Sequence, residues 1–133
     1  MTMTTSEHIF LLKDAMQNAY APYSNYKVGA LIISETGAIH IGCNVENASY
    51  PQGGCAESGA ISAMIVGGDK RIKQIYIMSD DDDGATPCGG CRQRIREFSD
   101  SETLITLCSS EKIIETLSVE DLLPKSFGPE HLK

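Results

Sequence analysis

Apolar positions near the start of the chain recur at intervals of three and four residues, the spacing of one face of an α-helix. The positions that follow this spacing are Ile9, Leu12, Met16 and Ala19. Thr4, with Glu7 three residues later, offers a capping box for the start of this helix. Pro22 is expected to close it, because proline disfavours a helical conformation in the residue before it. The pattern therefore predicts a first amphipathic helix between the capping box and the proline.

Short apolar runs farther along the chain predict strands. Residues 28–33 and 38–45 are separated by a turn too short for a crossover, so they are expected to pair antiparallel as a hairpin. Residues 104–108 and 112–117 are likewise joined by a tight turn and predict a second hairpin. A further strand is expected at residues 72–78.

Three more helices are expected among these strands. The first covers residues 56–66, ends at Gly67 and Gly68, and buries the apolar side chains of Ala60, Ile61, Ala63 and Met64. The second covers residues 89–98, and a short last helix begins after Ser118 and ends before Pro124. The element order α-β-β-α-β-α-β-β predicts an α/β protein with a mixed five-stranded sheet, whose strand–helix–strand units require right-handed crossovers. Since no repeat or linker interrupts this order, residues 1–133 are expected to form one domain.

The overall composition is that of an ordinary soluble globular protein, with 41% apolar and 22% charged residues in a chain of 133. No apolar run approaches the length that spans a bilayer, and the start of the chain, residues 1–8 (MTMTTSEH), is mainly polar. We therefore expect a cytoplasmic protein with no membrane partner.

The net charge of −7 argues against a nucleic-acid partner, because such binding depends on neutralisation of phosphates by Lys and Arg. The one dense basic cluster, Arg92, Arg94 and Arg96, lies on a single predicted helix and is followed by Glu97 and Asp100. A small substrate that is neutral or weakly charged fits this balance better.

Five cysteines are an odd number for a disulfide framework, and two of them form a CxxC motif. A reducing compartment with metal-bound thiolates accounts for them more simply. Cys43 and Cys108 lie in apolar strand-like segments and are expected to be small buried side chains.

The remaining cysteines form the pattern that carries the chemistry. Cys55 is followed two residues later by Glu57, and Cys88 and Cys91 come later in the chain, each group at the start of a predicted helix. Three thiolates leave one position open on a tetrahedral metal, which is the arrangement of a catalytic zinc. Thiolate softness favours zinc over magnesium or manganese, although iron is not excluded. Glu57 is the candidate to transfer protons to and from a metal-bound water.

The spacing sets a geometric condition on this site. Cys88 and Cys91 are three residues apart and face the same side of a helical turn. Cys55 and Glu57 cannot both face one point from the middle of a helix, because two residues rotate the helix by about 200°. They can do so at a helix entry, where the cap residue has non-helical dihedral angles. Two helix N-termini are therefore expected to converge on one metal at the carboxyl ends of the strands.

A CxxC motif by itself is also typical of a redox dithiol or of half a zinc knuckle. This chain has no second CxxC, and its three histidines, His8, His40 and His131, lie in unrelated segments. The additional cysteine and carboxylate of Cys55 and Glu57 favour a catalytic metal.

These motifs resemble those of a known family. Cys55-Ala56-Glu57 with a later Pro-Cys-x-x-Cys is the signature of the zinc-dependent nucleoside and nucleobase deaminases. The fuller set is similar to the short, homotetrameric cytidine deaminases: it comprises residues 23–30 (YSNYKVGA), 44–48 (NVENA), 88–93 (CGGCRQ) and 122–128 (LLPKSFG). The resemblance covers nearly the whole chain and implies a three-layer α/β/α fold. It also implies hydrolysis of cytidine and deoxycytidine to uridine and deoxyuridine, with release of ammonia, in pyrimidine salvage.

The resemblance implies a role for each matching residue. One zinc ion per subunit would be held by Cys55, Cys88 and Cys91, with Glu57 as the proton shuttle for a zinc-bound hydroxide. Substrate contacts would come from Tyr26 beside the base, from Asn44 and Glu46 on the ribose, and from the backbone N–H of Ala56 on the ring carbonyl. Arg92 would be a cation behind the ligands.

In a homotetramer of this family, the residues expected to reach a neighbour's pocket are Ala48, Tyr50 and Phe127. Without the resemblance, Tyr50 and Phe127 would be interpreted as ordinary aromatic core residues.

Two positions depart from the family pattern. Tyr26 stands where the family usually has Phe, which keeps an aromatic face. Ser58 stands where the short family commonly carries Arg directly after the catalytic Glu. Three thiolates on Zn²⁺ carry a net charge of −1, so the loss of this cation matters for the metal's pull on its water.

Three other interpretations fit parts of the sequence. The same scaffold could deaminate a modified pyrimidine nucleoside, such as an aminoacyl-nucleoside antibiotic, although Asn44, Glu46 and Asn47 favour plain cytidine. A zinc-stabilised module without catalysis would make no use of Glu57. A polynucleotide editor is the interpretation that the acidic charge disfavours most.

Overall fold

The computed structural model describes residues 3–132, so residues 1, 2 and 133 of the expected single domain lie outside the described residues. Five strands form one mixed sheet in the order β2-β1-β3-β4-β5. The strands are β1 (Val28–Ser34), β2 (Ile39–Cys43), β3 (Ile72–Ser79), β4 (Leu104–Ser109) and β5 (Ile113–Ser118). The α-helices are α1 (Thr5–Gln17), α2 (Ala56–Val66), α3 (Gly89–Glu97) and α4 (Val119–Leu122), and single 3₁₀ turns cover Tyr50–Gln52 and Pro129–Leu132.

The strand directions bring several loops to one edge of the sheet. Both predicted hairpins are present, because β1 pairs antiparallel with β2 and β4 pairs antiparallel with β5. β1 is also antiparallel to β3, so β2 and β3 run in the same direction on either side of it. β3 and β4 are parallel and are connected through α3. The carboxyl ends of β2 and β3, which lead to α2 and α3, therefore lie at the edge where β1 begins.

Helices cover both faces of this sheet. On one face, Leu12 and Met16 of α1 pack with Leu31, Tyr76 and Met78. On the other face, α2, α3 and α4 supply the buried side chains of Ala60, Ile61, Met64, Ile95 and Leu122. Side chains of neighbouring residues in β1 alternate between the two clusters, as the two-residue period of a strand requires. The predicted α/β class with a mixed five-stranded sheet between helical layers is confirmed.

Two glycines allow helices to approach the sheet closely. A Cβ atom at Gly42 of β2 would lie 2.5 Å from both the Ala56 carbonyl oxygen and the Ala60 nitrogen of α2. A Cβ atom at Gly29 of β1 would lie 2.8 Å from the Leu12 oxygen and the Met16 nitrogen of α1. Because these neighbours are backbone atoms, a side chain at either position would push the helix away. Gly42 thus fixes the height of α2, and of the residue before it, over the sheet.

The first helix is shorter than its apolar pattern predicts. The Thr4 capping box with Glu7 is present, but α1 ends at Gln17 rather than near Pro22. The reason is a backbone pairing: the Tyr20 N–H donates to the Asn44 carbonyl oxygen, and the Glu46 N–H donates to the Tyr20 carbonyl oxygen. This pairing directs the chain away from the helix axis.

Strand β2 is also shorter than expected and ends at Cys43 instead of residue 45. Val45 pairs instead with Tyr20 and Gly54 in isolated bridges. Within residues 3–132, none of the helices combines the length and the apolar character that crossing a bilayer requires.

Candidate active site

The two cysteine groups lie at two helix entrances, as the spacing predicts. Cys55 caps the N-terminus of α2 with extended dihedral angles (φ −81°, ψ 157°), and Cys88 caps α3 in the same way (φ −65°, ψ 168°). Cys91 lies in the first turn of α3. Because α2 and α3 follow parallel strands, their N-termini face the same edge of the sheet.

The three sulfur atoms form a cluster in which all lie within 4.8 Å of one another. A tetrahedral zinc with bonds of about 2.3 Å places pairs of sulfurs roughly 3.8 Å apart, so small side-chain rotations bring these three onto one ion. No other His, Cys, Asp or Glu of residues 3–132 joins the cluster. The donor set of three soft thiolates therefore suits zinc and leaves one coordination position for a non-protein ligand.

The thiols of the cluster differ in how readily they lose their protons. Burial raises the pKa of Cys91, and the negative charge of Glu57 raises it further. Burial also raises the pKa of Cys55. At the exposed helix entrance, the backbone N–H of Cys91 lowers the pKa of Cys88, with a smaller contribution from that of Gly90. Since metal ligands must be deprotonated, zinc binding is expected to release protons from this cluster.

Glu57 lies in the first turn of α2 and is only 4% exposed. Burial raises the pKa of its carboxyl group, while the Arg94 guanidinium and the Cys91 thiol lower it in part. A raised pKa makes the carboxylate a stronger base, which favours the acceptance of a proton by a general acid–base catalyst.

A cavity of about 410 Å³ opens beside this carboxyl group and the cluster. Its volume is in the range of small-molecule sites. The residues that line it are Tyr26, Val28, Asn44, Val45, Glu46, Tyr50, Gly53, Gly54, Cys55, Ala56, Glu57, Ile77, Ala85, Thr86 and Cys88. The cavity therefore brings together the four residues for which substrate contacts are expected, namely Tyr26, Asn44, Glu46 and Ala56.

The side chain of Asn44 holds the segment that enters β1. Its Oδ1 accepts a hydrogen bond from the Val28 N–H (2.8 Å), and its Nδ2 donates to the Tyr26 carbonyl oxygen (2.8 Å). An amide side chain has two acceptor sites and two donor hydrogens, so one of each is left for a ligand. The same side chain thus orients Tyr26 and faces the cavity.

Glu46 is held by the loop after α1. Its carboxylate accepts hydrogen bonds from the backbone N–H groups of Tyr23 (3.0 Å) and Ser24 (3.1 Å) and from the Ser24 hydroxyl. These bonds, first that from the Ser24 hydroxyl, lower the pKa of Glu46. The carboxylate is therefore a fixed acceptor at the cavity wall.

Two arginines of α3 have different surroundings. Arg92, expected behind the ligands, donates through Nε to the Pro87 carbonyl oxygen and through Nη1 to the Leu122 carbonyl oxygen, both at 2.8 Å. It holds the start of α3 to the end of α4, and among residues 3–132 it forms no hydrogen bond to a sulfur. Arg94 Nη1 instead lies 3.7 Å from the Cys91 sulfur as a hydrogen-bond donor.

Sequence reasoning missed Arg94 as a residue of this site. The available signal was its spacing of three from Cys91, which places both on one helix face, whereas Arg92 is turned by about 100°. Ser58 supplies no cation, and its hydroxyl donates to the Cys55 carbonyl oxygen at 2.8 Å.

The three residues expected to reach a neighbouring subunit are all exposed in the single chain. Tyr50 is 76% exposed and lines the chain's own cavity, and Phe127 is 55% exposed. Phe127 stacks on His131, and its carbonyl oxygen accepts a hydrogen bond from Gln93. The alternative that Tyr50 and Phe127 are ordinary core residues is wrong. The expected contact of Ala48, Tyr50 and Phe127 with a neighbour stays a prediction.

Comparison with known proteins decides the family. Residues 3–107 match the sequence profile of the cytidine and deoxycytidylate deaminase zinc-binding region. The chain belongs to this deaminase family. The match includes both helix entrances and covers most of the sheet.

Relatives of the deaminase family match over nearly the full chain. The cytidine deaminase of Sporosarcina psychrophila is 38% identical over 120 residues, which are 90% of this chain and 88% of that protein. The crystal structure of cytidine deaminase from Burkholderia pseudomallei superimposes with a TM-score of 0.87 at 36% identity and covers 94% of this chain and 100% of that one. The enzyme of Mycobacterium tuberculosis gives a TM-score of 0.80 at 32% identity over 95% and 99% of the two chains.

Proposed function

We propose that this protein hydrolyses cytidine and deoxycytidine to uridine and deoxyuridine and releases ammonia. The observation that carries the proposal is the cluster of Cys55, Cys88 and Cys91 beside Glu57, at the wall of a nucleoside-sized cavity, in a chain of the deaminase family. When bound, zinc supplies the Lewis acidity that makes water a nucleophile near neutral pH.

Glu57 performs the proton transfers of this reaction. Its carboxylate accepts the proton of the attacking water and passes it to the ring nitrogen next to the carbon that bears the amino group. Once the water oxygen has bonded to that carbon, the same carboxylate takes the remaining proton of this oxygen and donates it to the amine. The carbon–nitrogen bond then breaks, ammonia leaves, and the carbonyl group of uridine forms. The burial of Glu57 supports this role, because burial raises the pKa towards the range in which these transfers occur.

The other cavity residues bind and orient the nucleoside. Ala56 is the first residue of α2, and the first N–H groups of a helix have no partner within the helix, so its N–H can donate to the ring carbonyl oxygen. Tyr26 presents an aromatic face to the base. The remaining hydrogen-bonding capacity of Asn44 and the fixed carboxylate of Glu46 bind ribose hydroxyls.

The assembly is a homotetramer in the cytoplasm that serves pyrimidine salvage, as the resemblance to short family members implies. The exposure of Tyr50 and Phe127 supports an assembly, since large aromatic side chains on a surface are typical of contacts between proteins. Ala48, Tyr50 and Phe127 then contribute to the pocket of a neighbouring subunit.

A panel of substrates tests the reaction. Ammonia release is measured with cytidine, deoxycytidine, an aminoacyl cytosine nucleoside and a cytosine-containing single-stranded oligonucleotide. We expect turnover of the two plain nucleosides and none of the oligonucleotide. Turnover of the aminoacyl nucleoside alone, or of no substrate by zinc-loaded protein, would contradict the proposal.

A further inference from the structure

A thiolate cluster of this kind has an unbalanced charge. Three thiolates and Zn²⁺ together carry a net charge of −1, and the Glu57 carboxylate lies beside them. Excess negative charge weakens the Lewis acidity of the metal and favours protonation and loss of a ligand. A cation or hydrogen-bond donor at a ligand sulfur reduces both effects.

Helix α2 supplies no such cation. Ser58, directly after Glu57, is uncharged, and its hydroxyl donates a hydrogen bond to the Cys55 carbonyl oxygen. Arg92 is no substitute, because its guanidinium donates to the carbonyl oxygens of Pro87 and Leu122. Within residues 3–132, Arg94 is the one cationic side chain that donates to a sulfur of the cluster.

The first turn of α3 is shaped to admit the Arg94 side chain. Arg94 Nη1 lies 3.7 Å from the Cys91 sulfur. A Cβ atom at Gly90 would lie 3.2 Å from the same Nη1 and 4.0 Å from the Cys88 sulfur, so the guanidinium occupies space left by the absent side chain. The guanidinium thus reaches the Cys91 sulfur past the position where a side chain at residue 90 would stand.

We propose that Arg94 is a positioning residue that stabilises the zinc-thiolate cluster from α3, as the cation that Ser58 does not supply from α2. It does not line the substrate cavity. Its effect is therefore on the metal and on kcat rather than on substrate affinity. The kinetic part of this inference rests on the proposed function, whereas the metal-binding part does not.

The test compares zinc affinity and kinetics in four variants of the zinc-loaded protein. Arg94→Gln removes the positive charge, and Arg94→Lys keeps a positive charge but lacks the planar guanidinium group. The double variant Ser58→Arg, Arg94→Gln supplies a cation from α2 instead of α3. Arg71→Gln is the matched control, since Arg71 is exposed and only its backbone forms hydrogen bonds. Zinc affinity is measured by competition with a coloured chelator, and kcat and KM are measured with cytidine.

We expect Arg94→Gln to weaken zinc binding roughly 10- to 100-fold and to lower kcat while KM changes less than about twofold. The zinc affinity and kcat of Arg94→Lys should lie between those of Arg94→Gln and the wild type. The double variant should regain most of the zinc affinity that Arg94→Gln loses. Arg71→Gln should match the wild type. Thermal unfolding of the variants checks that each is folded.

The inference is overturned if Arg94→Gln equals Arg71→Gln in zinc affinity and kcat, or if it raises KM alone. A double variant no better than Arg94→Gln would also overturn it, because charge would then not be the cause. Zinc-loaded wild-type protein that fails to deaminate cytidine would overturn the proposed function, while the order of zinc affinities would still decide the role of Arg94.

Discussion

Glu57 and Asp69 lie near opposite ends of α2, and their carboxyl groups have opposite surroundings. The Asp69 carboxylate accepts hydrogen bonds from the hydroxyls of Ser34 (2.5 Å) and Thr36 (2.8 Å), which lower its pKa, and His40 Nε2 lies 3.5 Å away. Glu57 lies between thiols and a cavity, where burial raises its pKa. One carboxylate is held ionised by donors and joins a hairpin to a loop, whereas the other is held ready to exchange a proton.

This difference distinguishes a carboxylate with a structural role, Asp69, from a buried carboxyl group with a chemical role, Glu57. Hydrogen bonds from the two hydroxyls favour the charged form of the Asp69 carboxylate, so this group is held ionised. The Glu57 carboxyl group instead faces a cavity beside the cysteine cluster. Its raised pKa favours proton transfer to and from a ligand in that cavity. The contrast predicts that substitutions at the two carboxyl groups affect different properties of the protein.

The largest expected effect is that of Glu57→Gln. The amide keeps the shape of the side chain but cannot transfer a proton, so kcat for cytidine should fall by about 10²–10⁴. Zinc should still bind at close to one ion per chain, as measured by metal analysis. The matched change Asp69→Asn should leave kcat within about twofold of the wild type. Full activity in Glu57→Gln would contradict the role of Glu57 in proton transfer, whereas no activity in either zinc-loaded protein would favour a zinc-stabilised module without catalysis.

A second effect concerns the position of α2, which connects the two carboxyl groups. Gly42→Ala would place a methyl group against backbone atoms of Ala56 and Ala60, which should cost roughly 1–3 kcal/mol of unfolding free energy or more. Gly59→Ala is the control at the same contact, because its Cβ would lie 3.7 Å from the Gly42 Cα. This control should be neutral or stabilising by up to about 1 kcal/mol, since alanine favours a helix more than glycine does. Chemical denaturation measures the unfolding free energy of both variants. Equal changes in the two variants would contradict the close approach of α2 to Gly42.

The smallest effect is a change in the pH dependence of stability at Asp69. Its pKa is lowered in the folded protein, so its contribution to stability is present above the unfolded-state value of about 3.9 and is lost as the pH falls through the folded-state value. The difference in unfolding free energy between wild type and Asp69→Asn should therefore shrink as the pH is lowered from about 6 towards 3. A difference that is constant over this range would contradict the hydrogen-bonded carboxylate.

Local signals in the sequence were sufficient for the elements that position the metal ligands. Helix α2 has the bounds Ala56–Val66 that the pattern predicts, because a cysteine cap and two glycines delimit it. The capping boxes at Thr4 and Ser118 are also present. These features depend on residues close together in the chain, so capping residues and glycines are sufficient to predict them.

Three features that depend on contacts between distant residues were not predicted. The Asp69 cluster joins residues of β1 and its turn to a loop more than thirty positions later, and no periodic pattern indicates such a contact. The early ends of α1 and β2 result from the pairing of Tyr20 with the chain around Val45. Which of the two arginines donates to a ligand sulfur also depends on a distant contact, because Arg92 donates instead to the carbonyl oxygen of Leu122, thirty positions later.

The most direct test of the account is a zinc titration of the metal-free protein, with deamination of cytidine followed by the absorbance change to uridine. Activity should rise in proportion to added zinc and stop rising at one ion per chain, because three sulfurs form a single site with one open position. An activity that is absent at full zinc loading, or that is the same without zinc, would contradict it.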